Sequence, residues 1–242
     1  MKILVIVPAY NEEENILNVV NEIKLVNLQH ELRYIVINDC SIDNTEFICR
    51  DASLDYLSLP VNLGIGGAVQ CGYRYALEHD YDIAIQLDGD GQHNPINIPQ
   101  LIEPIITGHS DVVIGSRFLR KKGFQSSRMR RLGIAIIRYA IRLCCGTRIT
   151  DATSGFRAVN KNLIKLYSDE YAHDYPEPEA IVTATLNGYK VSEVPVEMNE
   201  RIGGKTSINA LRSIYYMVKV PLALIVYRLS IRKSRKMVID NE

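Results

Sequence analysis

The sequence predicts an α/β fold, a doubly wound and mostly parallel sheet with helices on both faces, followed by an amphipathic helical tail. Three observations lead to this prediction. Short apolar runs alternate with segments of helical periodicity through the first half of the chain. Clusters of polar residues follow four of these runs, at the edge where ligands bind in such sheets. The 242 residues, 47% of them hydrophobic, are enough to bury the core of one large domain.

The elements of the first half follow from these patterns in order. The apolar run Ile3–Val7 predicts a buried strand that Pro8 ends, and helical periodicity follows over Glu12–Val26. Further strands are predicted at Tyr34–Ile37, Tyr56–Leu59, Ile83–Leu87 and Val112–Ile114. Helices are predicted from a cap at Ser41 or Asp43 to about Asp51, and from the turn 62–67 to about His79.

The second half continues with helices and strands that are spaced less regularly. We expect a helix at Leu132–Cys145, a strand that ends at Val159, a helix at Ala180–Leu186 and an edge strand at Lys190–Met198.

The turn after the fourth predicted strand carries two carboxylates. Asp88 and Asp90 flank a glycine, and two carboxylates this close repel each other unless a cation lies between them. With Gln92 and His93 nearby, these oxygen ligands suit Mg²⁺ or Mn²⁺, which usually also bind diphosphate oxygens. The alternative is a solvated Asp-Gly turn, which the other polar strand ends at the same edge disfavour.

A glycine-rich turn at 62–67 raises the alternative of a dinucleotide site. That fingerprint requires a third glycine and a position directly after the first strand. Here Val69 occupies the third glycine position, and the turn follows the third predicted strand. The pattern therefore disfavours a dinucleotide site, whereas a helix start that lets the backbone approach a neighbour fits it.

Four motifs occur in an order and at a spacing that resemble one enzyme family. They are Pro8-Ala9-Tyr10-Asn11-Glu12, Asn38-Asp39-Cys40-Ser41-x-Asp43, Asn62-x-Gly64-x-Gly66-x-Ala68 and Asp88-Gly89-Asp90-Gly91-Gln92. Together they resemble family 2 glycosyltransferases with the Rossmann-like GT-A fold, in particular the dolichyl- and polyprenyl-phosphate hexose transferases. Gly115-Ser116-Arg117 and the segment 151–157 extend the resemblance, which implies a GT-A domain over residues 1–205 and a tail over residues 206–242. In the second motif the family usually has Asp-Asp-Gly-Ser.

The resemblance implies a role for each matching residue. The metal would be held by Asp88, Asp90 and Gln92, and the nucleotide sugar by Pro8, Tyr10, Glu12, Asp39, Gly66, Asp88, Gly89, Arg201 and Lys205. Catalysis would involve Asp88, Asp90, Arg117 and Arg131. The acceptor candidates are Arg117, Arg131, Asp151, Ser154, Glu177 and Glu179. A structural turn is the alternative for Asp151, and ordinary helix capping is the alternative for the two glutamates.

The implied reaction is an inverting, metal-dependent transfer of a hexose from a nucleotide sugar to a polyprenyl phosphate such as undecaprenyl phosphate. Its product would be a lipid-linked sugar for cell-envelope glycan assembly. UDP is favoured over GDP, and Mg²⁺ or Mn²⁺ is the expected cofactor. An acceptor phosphate is already anionic and needs no strong general base, whereas an acceptor hydroxyl would need one. Transfer to a glycan hydroxyl and a non-catalytic nucleotide-sugar-binding module are the alternatives.

The zero net charge of the chain hides a sharp asymmetry. Residues 1–116 contain 17 acidic and 5 basic residues, whereas residues 117–242 contain 11 acidic and 23 basic ones. The stretch from Arg117 to Arg148 contains ten Lys and Arg residues and no acid. Aromatic residues that could stack on bases are few there, so a lipid phosphate and an anionic membrane surface explain the charge better than nucleic acid does.

The tail pattern predicts membrane association. Val220–Tyr227 is apolar apart from the tyrosine hydroxyl, and a basic cluster at 232–236 follows, which suits a helix in the headgroup layer. The alternative is an oligomerisation helix, or a helix that docks on a small membrane-protein subunit. The sequence has neither a signal-peptide pattern nor a run of about 20 apolar residues, and its five cysteines form no C-x-x-C pair. We therefore expect a peripheral protein on the cytoplasmic side of the membrane.

Overall fold

The computed structural model describes residues 1–120, 128–173, 175–199 and 219–229, with residues 128–130 described by their backbone alone. The strands are β1 (Lys2–Ala9), β2 (Glu31–Asn38), β3 (Tyr56–Ser58), β4 (Ile83–Gln86), β5 (Val112–Ser116), β6 (Arg157–Asn160) and β7 (Val191–Pro195). The helices are α1 (Ile16–Lys24), α2 (Thr45–Asp51), α3 (Gly64–Glu78), α4 (Ile98–Ile106), α5 (Arg128–Cys145), α6 (Lys161–Asp169) and α7 (Pro176–Leu186). Residues 219–229 are also helical.

The strands form one sheet in the order β3-β2-β1-β4-β6-β5-β7. Only β6 is antiparallel to its neighbours among the described strands, β4 on one side and β5 on the other. The strand order reverses between β1 and β4, because β2 and β3 extend from β1 to one side and the later strands to the other. The prediction of a doubly wound, mostly parallel sheet is confirmed, and β7 is the predicted edge strand.

The two faces of the sheet carry separate hydrophobic clusters, because alternate side chains of a strand point to opposite faces. Leu4 and Ile6 of β1 belong to a cluster with α3, α5, α6 and α7, and a Cβ on Gly72 of α3 would collide with Ile6. Ile3 and Val5 belong to the other cluster, with α1 and α4. Full burial of each such side chain contributes roughly 1.5–3 kcal/mol, so both faces stabilise the sheet.

The first helix begins four residues later than its periodicity predicts. Asn11 has a φ of 57°, and the N–H groups of Glu12 and Glu13 donate to the side chains of Thr45 (2.8 Å) and Asp43 (3.2 Å). These bonds hold the segment after β1 against the loop after β2, in a conformation that is not helical. The predicted helix over Glu12–Val26 is therefore shortened to α1.

The helix at 219–229 lies against the domain core. Val220 and Leu224 are fully buried in the cluster that contains α5 and α7, and Thr183 Oγ1 donates to the Tyr227 hydroxyl at 2.9 Å. Residues 206–218 and 230–242 of the predicted tail lie outside the described residues, so the domain boundary at 205 stays a prediction. None of the helices described here has the length and apolar character needed to cross a bilayer.

Candidate active site

A cleft of about 890 Å³ opens at the edge of the sheet where β1, β2 and β4 end. It lies where the strand order reverses, which is the usual ligand position in such sheets. The predicted donor and metal residues that line it are Pro8, Tyr10, Glu12, Asp39, Asp88, Gly89 and Asp90. The fold thus brings together residues from three separate motifs, whose individual roles stay predictions.

The loops that follow β1 and β2 are bonded to each other. The Asn11 N–H donates to Ser41 Oγ at 3.0 Å, and the Ile42 N–H donates to Asn11 Oδ1 at 2.9 Å. Glu12, which is buried, accepts a hydrogen bond from Asn15 Nδ2 at 2.8 Å. Because each loop satisfies polar groups of the other, this wall of the cleft is held in place before any ligand arrives.

Asp39 connects the end of β2 to the start of α3. Its carboxylate Oδ1 accepts the Leu63 N–H at 2.7 Å, and its carbonyl accepts from Asn62 Nδ2 at 3.0 Å. Asn38, which stands where the family usually has an aspartate, is fully buried and donates to Ser58 Oγ at 3.0 Å. Asn38 Oδ1 also accepts the Ser41 N–H at 3.2 Å. Asn38 therefore acts within the loop structure and does not line the cleft.

Cys40 occupies the position where the family usually has glycine. Its φ is 57°, in the left-handed region where a side chain costs roughly 1–2 kcal/mol. Cys40 therefore keeps the backbone conformation that glycine favours, although that conformation is strained for a cysteine.

The glycines at the start of α3 serve the packing of that helix. Gly64 has a φ of 75°, and a Cβ on Gly66 would collide with the carbonyl oxygen of Ala172. Gly66, predicted to bind the nucleotide sugar, is buried against this backbone, while its neighbours Ile65 and Ala68 line the cleft. The turn is thus a helix start at which the backbone closely approaches a neighbouring segment.

The Asp88-Gly89-Asp90 turn is held by hydrogen bonds on both sides. Asp88 Oδ1 accepts from Gln86 Nε2 at 3.1 Å, and Asp90 Oδ1 accepts the Gln92 N–H at 3.1 Å. The Asp88 N–H donates to His93 Nδ1 at 3.1 Å. His93 Nδ1 also lies 3.9 Å from the Asp88 carboxylate.

The carboxylates of this turn fit a divalent cation whose remaining ligands come from a diphosphate and water. The described residues contain no group of three or more His, Cys, Asp and Glu side chains placed to hold a metal alone. Mg²⁺ and Mn²⁺ bind through one or two carboxylates and take the remaining ligands from phosphate and water. Asp88 and Asp90 supply two carboxylates at the cleft, whereas Gln92, the third predicted ligand, donates its backbone N–H to Asp90 and is not among the residues that line the cleft.

Arg117 and Asp151, both predicted to contact the acceptor, form a buried ion pair. Arg117 Nε and one Nη donate to the two Asp151 oxygens, each at 2.7 Å, and the Arg117 N–H donates to Oδ2 at 3.2 Å. Asp151 is fully buried, and its N–H donates to Glu193 Oε1 at 2.8 Å. The pair ties the end of β5 to the 151–157 segment, so any role of Arg117 toward the acceptor has to be compatible with this fixed guanidinium.

The other predicted acceptor residues lie apart from the lining of the cleft. Arg131 is exposed on the first turns of α5, and Glu177 and Glu179 lie in the first turn of α7. Ser154 Oγ is buried and makes no hydrogen bond to the described part of the chain. Arg201 and Lys205, predicted to bind the nucleotide sugar, lie outside the described residues.

Sequence reasoning missed two buried residues beside the Asp88 turn. Gln86 is the polar residue within the predicted apolar strand Ile83–Leu87, and Arg157 is paired with it in the register of β4 and β6. Both are at most 1% exposed. Gln86 could have been identified from the sequence, because its amide lies inside a predicted buried strand, two residues before a carboxylate. A buried amide needs a hydrogen-bond partner. The antiparallel register that places Arg157 opposite it was not visible in the sequence.

This chain is similar to known proteins in sequence and, for solved structures, in fold. The model of the family described as Glycosyl transferase family 2 matches residues 4–167. The UDP-N-acetylglucosamine–dolichyl-phosphate N-acetylglucosaminyltransferase of Methanococcus voltae is 33% identical over 218 residues, covering 81% of this chain and 84% of that protein. The undecaprenyl-phosphate mannosyltransferase of Micrococcus luteus is 29% identical over 221 residues, covering 86% and 88%.

A solved structure shows the same architecture. Glucosyl-3-phosphoglycerate synthase from Mycobacterium tuberculosis, in complex with Mn²⁺, UDP and glucosyl-3-phosphoglycerate, matches with a TM-score of 0.69 at 24% identity. The match covers 94% of this chain and 79% of that one. It shows that the fold is the GT-A fold that the motifs implied.

Proposed function

Because this chain belongs to glycosyl transferase family 2 and is a glycosyltransferase, we propose that it transfers a hexose from a nucleotide sugar to a polyprenyl phosphate. The observation that carries the proposal is the cleft at the switch point of the sheet, where Asp39, Asp88 and Asp90 converge. The dolichyl-phosphate and undecaprenyl-phosphate transferases similar to this chain support a lipid phosphate as the acceptor.

The donor half of the reaction uses the rigid wall of the cleft. Tyr10 is exposed at the cleft and Pro8 lines it, so they offer apolar surface for the base, while Asp39 and Glu12 offer carboxylates near the ribose. We favour UDP over GDP as the nucleotide. The bonds between the loops that hold these residues lower the cost of ordering them when the donor binds.

Asp88, Asp90 and Gln92 would hold Mg²⁺ or Mn²⁺ against the donor diphosphate. A bound divalent cation acts as a Lewis acid that offsets negative charge on the departing diphosphate. Asp88 and Asp90 would bind this cation from the end of β4, and the bond from the Gln92 N–H would keep Asp90 in place.

The transfer would proceed in one displacement with inversion. An oxygen of the acceptor phosphate forms a bond to the anomeric carbon, while the bond from that carbon to the donor phosphate oxygen breaks and the nucleoside diphosphate leaves with the electron pair. Because the attacking phosphate is already anionic, the step needs no strong general base. A glycan hydroxyl acceptor, the second candidate, would need a base for its proton.

For the acceptor phosphate we assign the direct contact to Arg131 and a positioning role to Arg117. Arg131 is exposed, whereas the guanidinium of Arg117 is fixed on Asp151 by two bonds. Arg131 also lies near the N-terminus of α5, where the helix dipole favours an anion.

A mixed apolar and basic face suits the membrane in which such an acceptor resides. On α5 the side chains of Leu132, Ile136, Tyr139 and Leu143 are exposed at helical spacing, and on the helix 219–229 those of Leu222, Val226 and Leu229 are exposed. Arg228 donates to the carbonyls of Leu143 and Cys144, which joins the two helices. Arg131, Arg138, Arg142 and Arg148 are exposed on α5 or directly after it.

We define these exposed residues of α5 and of the helix 219–229 as the apolar–basic face, and we propose that it rests on an anionic membrane at the cytoplasmic side. Exposed apolar side chains would enter the headgroup layer, and each arginine near the surface would contribute about 1 kcal/mol. A small membrane-protein subunit is the alternative occupant, and vesicles without protein distinguish the two.

The test is nucleotide release from a panel of UDP- and GDP-sugars with Mg²⁺ or Mn²⁺, with and without undecaprenyl phosphate in detergent. We expect release that depends on the lipid with one or a few donors. Release that is the same without the lipid, or that responds only to a glycan acceptor, would contradict the proposed acceptor. The Asp90→Asn variant serves as the control for contaminating activity.

A further inference from the structure

The carboxylate of Asp88 is bonded from behind by a buried amide. Gln86 is the last residue of β4 and is fully buried in an otherwise apolar strand. Its Nε2 donates to Asp88 Oδ1 at 3.1 Å. A carboxylate can only accept hydrogen bonds, so this contact requires the NH₂ end of the amide to face Asp88.

The other end of the amide faces the hydroxyl of Tyr171. Tyr171 OH donates to Gln86 Oε1 at 3.5 Å, a long hydrogen bond. Burial raises the pKa of Tyr171 well above its usual range, so the hydroxyl keeps its proton. Tyr171 packs against the ring of Tyr167 at 5.3 Å, which holds it in place. The hydroxyl serves as the donor to Oε1 in the amide orientation that the Asp88 carboxylate requires.

Gly155 lies directly against the contact between Gln86 and Asp88. A Cβ at Gly155 would lie 2.7 and 2.9 Å from the two Asp88 oxygens and 3.0 Å from Gln86 Nε2. Only a residue without a side chain lets the 151–157 segment pass so close to the carboxylate and the amide. The backbone of this segment therefore limits the positions that the Asp88 side chain can adopt.

Arg157 fixes that segment. Its guanidinium is buried opposite Gln86 and donates to the carbonyls of Ser154 at 2.6 Å and of Glu177 at 3.1 Å. The carbonyl of Ser154 directly precedes Gly155, so the arginine anchors the backbone at the point of closest approach to Asp88.

We propose that Gln86 and Gly155 are positioning residues that hold the Asp88 carboxylate in the orientation needed for the divalent cation and the donor diphosphate. This inference rests on the proposed function and deepens its account of the metal site. It also gives the Ser154-Gly155-Phe156-Arg157 motif a role at the proposed metal site, where its backbone packs against the Asp88 carboxylate.

The test measures Mn²⁺ binding directly, from the electron paramagnetic resonance signal of free Mn²⁺ in the presence of UDP or GDP. For Gln86→Met, which keeps the length of the side chain, we expect about tenfold weaker Mn²⁺ binding, the lower end of what loss of a residue supporting a metal ligand costs. For Gly155→Ala we expect a loss at least as large, because the new methyl group meets the carboxylate itself. In the donor assay, the Mn²⁺ concentration for half-maximal rate should rise by a similar factor.

Tyr167→Phe is the matched control. It removes a buried hydroxyl from the same ring cluster, but that hydroxyl donates to the Ala180 carbonyl at 2.8 Å and not to Gln86. If Gln86→Met and Gly155→Ala bind Mn²⁺ like wild type, or no more weakly than Tyr167→Phe, the positioning role is wrong while the proposed function stands. If wild type binds no Mn²⁺ with either nucleotide, the proposed metal site itself is wrong. Should Gln86→Met fail to fold, Gly155→Ala and Tyr171→Phe, which keeps the ring, decide the question.

Discussion

The donor cleft and the apolar–basic face are built in opposite ways. In the cleft, loops from three strands are bonded to one another, and the carboxylates of Asp39 and Asp88 already accept hydrogen bonds. On α5, Arg131 and Arg142 are exposed beside exposed apolar side chains. The acidic half of the sequence makes the first region, and the basic half makes the second.

This difference suits the two substrates of the proposed reaction. A nucleotide sugar is small and polar, so a cleft whose donors and acceptors are fixed in advance binds it without a large ordering cost. A polyprenyl phosphate presents one charged group at the edge of a bilayer, so exposed charge beside apolar surface is sufficient to attract it. The buried Arg117–Asp151 pair lies in the basic half of the sequence, but its charged groups are fixed by hydrogen bonds, as the loops of the cleft are.

The largest expected effect on stability comes from breaking the Arg117–Asp151 pair. Asp151→Ala removes the carboxylate from a buried guanidinium, and we expect it to lower the free energy of unfolding by about 3–5 kcal/mol. The double variant Arg117→Met/Asp151→Leu should recover much of this loss, because it leaves no buried charge there. Urea unfolding measures both. A loss below about 1 kcal/mol, the value of an exposed pair, would show that the pair is not buried in solution.

Asp90→Asn tests the donor cleft. We expect turnover to fall by about a hundredfold or more, because removing a preorganised charge contact typically costs that much, while the melting temperature changes little. Initial rates over a range of Mn²⁺ concentrations measure the effect. Asp55→Asn, a change of the same type at an exposed site outside the cleft lining, is the control. Wild-type rates for Asp90→Asn at limiting Mn²⁺ would contradict the metal assignment.

Leu143→Glu tests the apolar–basic face. Losing an exposed leucine and adding a negative charge should weaken binding to phosphatidylglycerol vesicles by about tenfold or more. Vesicle co-sedimentation measures this, and Leu25→Glu is the control because Leu25 is also exposed but directly follows α1. Equal binding by the two variants would mean that the membrane contacts another surface, and no binding by wild type would favour a protein subunit.

Cys40→Gly should have the smallest effect, and its sign is informative. Relieving the left-handed conformation should raise the free energy of unfolding by about 1 kcal/mol. Cys71→Gly, within α3, should lower it by about 1 kcal/mol, because glycine is unfavourable inside a helix. Thermal unfolding measures both. A destabilised Cys40→Gly variant would mean that the side chain contributes more than the strain costs.

Much of the fold was predictable because the apolar runs are continuous and the turns after them are polar. The strands of the first half, the edge strand and the helices α3 and α5 all follow from such runs. Helices α4 and α6 were not predicted, since Pro99 and Pro104 obscure the pattern of α4, and α6 begins directly after β6.

The site was predictable in its donor half and less so in its acceptor half. Motifs at strand ends are brought together by the parallel sheet itself, so Pro8, Asp39 and Asp88 had to meet. The pairing of Arg117 with Asp151 and the position of Gln86 behind Asp88 depend on the antiparallel strand β6 and the segment before it. Local patterns carry no information about that long-range register, which is why those contacts appeared only in the structure.

A comparison of two acceptors that differ in one group tests the proposed transfer to a lipid phosphate most directly. Wild-type protein is incubated with a radiolabelled nucleotide sugar, Mn²⁺ and either undecaprenyl phosphate or undecaprenol, and the label in the organic phase is counted. We expect label in the lipid with the phosphate and none above background with the alcohol. Equal transfer to undecaprenol, or transfer to neither lipid with any donor, would contradict the proposed transfer.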